Sequence, residues 1–63
     1  MPADFRAGDQ IVTVKKIDGI PVGTRGVVVK KRRFLEVDVA FDDLGVRKHI
    51  ANGRLAAVRS AMR

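Results

Sequence analysis

A chain of 63 residues without a single cysteine excludes several domains, disulfide staples and thiolate metal sites. Thirteen Lys and Arg against seven Asp and Glu leave a net charge of +6, a surplus that speaks to partners rather than to fold. A domain this small buries only about 60% of the surface its unfolded chain exposes, which leaves little room for a deep, water-excluding pocket and weighs against an enzyme. No apolar run approaches the roughly 20 residues of a membrane span and nothing resembles a signal peptide, so a cytoplasmic chain away from membranes is expected.

In chain order, residues 1–6 carry no periodicity and read as a flexible N-terminal arm. The domain proper is expected over 7–59, with a short tail at 60–63. Ala7-Gly8-Asp9 is a turn signature. Residues 10–17 (QIVTVKKI) are rich in β-branched side chains and predict a strand, though either Ile11 and Thr13 or Val12 and Val14 could face inward. Two glycines and a proline in residues 18–23 forbid a regular element and mark a loop, with Ile20 and Val22 tucked onto the barrel end. Residues 24–30 predict a second strand, in which Gly26 suggests a bulge or sharp bend. Val27, Val28 and Val29 cannot all face one small core, and Val28 is the one expected outside.

Lys30-Lys31-Arg32-Arg33 then reads as a cationic hairpin tip. Residues 34–41 (FLEVDVAF) carry the clearest signal, a period of two that predicts Leu35, Val37, Val39 and Phe41 inward and Glu36 and Asp38 outward. After a turn at 42–45, residues 46–50 (VRKHI) predict a fourth strand with Val46 and Ile50 inward and Arg47 and His49 outward. Residues 51–54 suggest a turn of 3₁₀ helix, and 55–58 a fifth strand, although Leu55, Val58 and Met62 also fit a short helix. Five short antiparallel strands cannot cover an apolar face as a flat sheet, so an all-β, five-stranded small barrel is predicted.

Gly8-Asp9, the alternating apolar residues that follow, and Gly23-Thr24-Arg25-Gly26-Val27-Val28 resemble the KOW motif and a wider set of bacterial SH3-like barrels. The resemblance implies an SH3-like barrel. KOW domains occur in ribosomal proteins and transcription elongation factors, so it also implies contact with RNA or with other proteins. The loop at 18–22 departs from the Lys-rich character of ribosomal KOW loops.

The residues offer no catalytic constellation and no cofactor site. His49 is the single histidine, so a nitrogen- or sulfur-based metal site has too few ligands. Asp38, Asp42 and Asp43 could hold a cation only as a carboxylate cluster, and a solvated turn explains them better. Thr24 and Ser60 have no neighbouring base, and no helix follows the glycines to make a phosphate loop. The chain also lacks Trp and Tyr, which excludes the aromatic groove of a proline-binding SH3 domain. Of its phenylalanines only Phe34 could stack on a base, packing at the barrel edge being its other reading.

What remains is a basic constellation: Lys30, Lys31, Arg32 and Arg33 at the tip, with Arg47, Lys48 and His49 on the fourth strand. Glu36 and Asp38 could neutralise Arg47 or Lys48 across strands, whereas the tip has no acid nearby in sequence. The expected function is therefore a non-catalytic module that meets the phosphate backbone of duplex DNA or structured RNA with little sequence readout. The competing expectation is a protein-interaction or accessory subunit, including a homodimer.

Overall fold

β-Branched runs and turn residues alternate along the chain, and the strands fall where those runs lie: β1 (Gln10–Thr13), β2 (Arg25–Arg32), β3 (Glu36–Phe41), β4 (Gly45–Ala51) and β5 (Leu55–Ala57). A 3₁₀ turn, Asn52–Arg54, precedes β5. The computed structural model describes residues 5–58. The strands form one antiparallel sheet in the order β4-β3-β2-β1-β5, curled around a core to which every strand contributes. Ile11, Val28, Val37, Val39, Phe41, Ile50 and Leu55 meet there, joined by Ile17 and Ile20 from the loop between β1 and β2. The fifth strand is thus a strand and not the start of a helix over 55–62, as far as the described residues reach.

Phe5 is buried in the same core, so the packed domain starts ahead of residue 7. Residues 1–4 of the expected arm, residue 59 and the expected tail at 60–63 lie outside the described residues. In β1, Ile11 and Thr13 take the inner face. At the end of the strand Thr13 anchors the loop that follows: Oγ1 donates to the Pro21 carbonyl at 2.9 Å and accepts from the Thr24 amide at 3.0 Å. Ile17 and Ile20 pair in an isolated bridge beyond it, while Val22, expected on the barrel end, is exposed.

Several facing assignments are corrected. β2 runs to Arg32 through the pairs Lys30↔Asp38, Lys31↔Val37 and Arg32↔Glu36, so three of the four tip cations are strand residues. The tip is Arg33, Phe34 and Leu35. Leu35 therefore leaves the inward series and is 56% exposed, although Val37, Val39 and Phe41 are buried as their alternation requires. Val28 is buried and Val27 and Val29 are outside, the reverse of the expectation, because Val28 lies opposite Val39 on the core side.

The bulge in β2 falls between Val28 and Lys30, not at Gly26. Gly26 instead marks a close approach of two strands. A Cβ there would come within 2.7 Å of Val39 Cγ1 and 2.8 Å of the Ala40 carbonyl oxygen. In β4 a second register shift separates the pairs Val37↔Ile50 and Val39↔Arg47. Two residues, Lys48 and His49, stand opposite Asp38, and the alternation changes phase. Arg47 is thereby turned to the core side, and Val46, expected inward, is 55% exposed.

The close approach at Gly26 makes a test of the packing. Gly26→Ala should cost about 1–3 kcal/mol, the usual penalty for forcing atoms into a filled interior. Gly53→Ala, where an added Cβ meets nothing within 4 Å, should change stability by about 0.5 kcal/mol or less. Urea unfolding of the two variants side by side reads the difference.

Candidate nucleic-acid interface

The candidate interface is organised from below by a buried charge. Asp38, expected on the outer face, is 3% exposed. The extra residues in β2 and β4 both fall beside it, and a bulge leaves backbone groups without ladder partners. His49 occupies the bulge of β4 with a left-handed backbone, φ 59°. Its N–H donates to Asp38 Oδ1 at 3.0 Å. From the other side Arg32 Nε donates to the same oxygen at 2.6 Å. A carboxylate leaves water at low cost only when it is paired and hydrogen-bonded, and both conditions are met here. The Arg32 hydrogen bond, helped by that of the His49 amide, holds the Asp38 carboxyl down to about 2 against the desolvation that opposes it. The same contact raises the Arg32 guanidinium above its ordinary value.

The hairpin tip stands above this buried pair. Phe34 and Leu35 have φ values of 59° and 60°, and Phe34 is 88% exposed. The Leu35 carbonyl accepts the Asn52 amide at 2.8 Å, which ties the tip to the start of the 3₁₀ turn. Between tip and strands lies a groove of about 650 Å³ lined by Lys30, Lys31, Arg32, Arg33, Phe34, Glu36 and His49. Among its lining residues Glu36 Oε1 and His49 Nδ1 stand 3.1 Å apart.

The fold thus gathers Lys30, Lys31, Arg33 and His49 of the predicted set at one groove, all with exposed side chains. Arg32 lines it too, but as the partner of Asp38. The tip run does have an acid nearby, two places along the facing strand from its register partner Glu36. Arg47 does not join the groove. Its Nη1 donates to the Asp18 carbonyl at 3.0 Å, so it holds the loop between β1 and β2. Lys48 is exposed on β4 and does not line the groove. Glu36 and Asp38 do not pair with Arg47 or Lys48 as expected. The bulge turns them to His49 and Arg32 instead.

Glu36 is the groove residue that sequence reasoning did not assign to the site. Its place opposite His49 depends on the extra residue in β4, which the pattern VRKHI does not betray. Asp38, Asp42 and Asp43 do not converge, and no group of His, Cys, Asp and Glu among the described residues could hold a metal ion. No helix among the described residues is long and apolar enough to cross a membrane.

A four-stranded antiparallel meander, with a 3₁₀ turn after it and a fifth strand that crosses back to pair with β1, is a small SH3-like barrel. The chain belongs to the family of the Xrn1 SH3-like domain, whose model matches residues 3–62. Searches of curated proteins and of solved structures returned no match.

Two arginines adjacent in sequence should behave differently. Arg32→Ala strands a buried carboxylate and should lower the melting temperature clearly. Arg33→Ala removes an exposed cation and should leave it within error. The pH dependence follows from the lowered Asp38 value. Its contribution to stability is complete above the unfolded carboxylate range near pH 4 and is lost as pH falls through about 2. Melting curves from pH 5 to 1.5 should therefore fall less steeply for Asp38→Asn than for the parent chain, starting from a lower plateau.

Proposed function

We propose that this barrel is a non-catalytic nucleic-acid-binding module that meets the phosphodiester backbone through the β2–β3 hairpin. The observation that carries the reading is the gathering of Lys30, Lys31 and Arg33 around one groove at the end of a projecting hairpin. Phosphates neutralised there would release condensed counterions, and that release supplies affinity without reading sequence. The likeness of Gly8-Asp9 and Gly23 to Val28 to KOW-type barrels supports the same class of partner. Arg32 enters only as the group that fixes the hairpin. Arg47 is assigned to the fold, and Lys48 and His49 flank the contact.

Binding should be steeply salt-dependent, with a log–log slope near −0.9 per phosphate neutralised on duplex DNA. Replacing Lys30 and Arg33 together by Gln should reduce that slope by about two and weaken all sequences alike, with little change in melting temperature. Titrations of duplex DNA and structured RNA at several salt concentrations measure this. A chain that binds neither at low ionic strength refutes the reading.

A second reading rests on a different surface. Val27, Ala40 and Val46 are cross-strand neighbours on the outer face of β2, β3 and β4, and Val27 and Val46 are exposed there with Val29 close by. An apolar row of this kind suits a protein partner or a second copy. Such association would be insensitive to salt and would survive the Lys30 and Arg33 substitutions.

A further inference from the structure

The tip of the hairpin breaks a local rule. Consecutive left-handed residues in a hairpin turn are ordinarily Asn-Gly, because a side chain with a Cβ is strained there and a bulky one more so. Here the positions belong to Phe34 and Leu35, with φ 59° and 60°. The strain is not offset by burial, since the Phe34 ring is 88% exposed and Leu35 is 56% exposed. The surroundings nevertheless hold the conformation: the strand pair Arg32↔Glu36 closes the hairpin, and the Asn52 amide captures the Leu35 carbonyl. Strain kept where the fold gains nothing from the side chains points to a function for those side chains.

The groove names that function. Phe34 forms part of its lining, together with the exposed Lys30 and Arg33 and with the Glu36–His49 pair. A flat apolar face, flanking cations and a carboxylate acceptor are the three contacts that an unpaired nucleotide can use together. The base stacks, its phosphates meet the cations, and an amino group on its edge donates to the carboxylate. A base inside a duplex offers its face to its neighbours and leaves the ring without a partner. A tip that entered an anionic lipid surface would not place Glu36 in the same concavity, where it repels the headgroups.

We infer that the β2–β3 hairpin holds an unpaired base of single-stranded nucleic acid on the ring of Phe34, with the base edge toward Glu36 and His49. This rests on the nucleic-acid reading above and narrows its substrate from backbone in general to strands with free bases.

The test uses the 63-residue chain and short fluorescent strands of RNA and DNA, each compared with a fully paired duplex and with an abasic strand that keeps the phosphates. The parent chain should bind the intact strand more tightly than the abasic strand or the duplex. Phe34→Ala should weaken the intact strand by about 5–150-fold, the range for one stacked base, and leave the abasic strand unchanged. Phe34→Trp should restore binding. Phe34→Asn with Leu35→Gly should lose the base-dependent part while raising the melting temperature by about 4–8 °C, as relief of about 1 kcal/mol of turn strain does in a domain of this size. A fall in melting temperature would mean that Phe34 and Leu35 serve the fold, and would overturn the inference. So would an unchanged affinity of Phe34→Ala for the intact strand. If Lys30→Gln with Arg33→Gln still weakened that strand, the backbone reading would stand alone. Absence of binding to every nucleic acid overturns both readings. Phe34-dependent binding to vesicles containing phosphatidylserine, in that case, would reassign the tip to a membrane surface.

Discussion

The Asp38 carboxylate is the constraint around which the three central strands arrange themselves. It sits inside the sheet on β3, and its two donors come from opposite neighbours, a guanidinium on β2 and a backbone amide on β4. Neither donor reaches it in a regular ladder. Each neighbouring strand carries one extra residue at that level, and the extra residues bend the sheet where a small barrel has to turn. Slipping either neighbour by one residue would leave a buried charge without a partner, a far larger penalty than the loss of one ladder hydrogen bond. The same contact fixes Arg32, and through it the base of the hairpin that carries the candidate interface.

The chain's positive charge has a divided use. Arg32, Arg47 and Arg54 each direct their guanidinium to a partner within the chain, the last two at the surface to carbonyls of the loop between β1 and β2: Arg47 to Asp18 and Arg54 to Lys16. That loop carries Ile17 and Ile20 into the core, so these cations act as clamps on it. Of the three, Arg32 alone has its charge met by a carboxylate, since a guanidinium on a neutral carbonyl keeps its own. Lys30, Lys31 and Arg33 bring three exposed cations together on one hairpin, and the other exposed Lys and Arg of the described residues are spread over the rest of the surface.

Much of the fold was legible because its signals are local. The period of two over residues 36–41, the turn glycines and the short 3₁₀ segment each depend on neighbours in sequence, and the five strands followed from them. The errors have several sources. The bulge in β4 changes the phase of alternation without changing composition, so Val46 was assigned to the wrong side although its strand was right, while Asp38 keeps the side its alternation requires and is buried there by Arg32 and His49. The site was legible as a cluster of cations but not in its division of labour. That Arg32 belongs to Asp38 and Arg33 to solvent follows from where β2 ends, and cross-strand pairing extended it past the run of lysines. Phe34 was visible as the one aromatic that could be exposed, and only the left-handed backbone shows that its exposure is imposed.

The open side of β4 has a consequence for how such a barrel survives at high concentration. Among the described residues β4 and β5 end the sheet, and a seven-residue strand at an edge is a template on which another chain can polymerise. The left-handed residue at position 49 breaks that template in its middle. The amide that a regular edge would hold in line is committed to Asp38, and the strand is twisted out of the flat geometry that cross-β stacking needs. A chain arriving at that edge meets two short, misaligned segments instead of one long one. The irregularity that satisfies the Asp38 carboxylate thus also interrupts the regular edge that fibre formation needs.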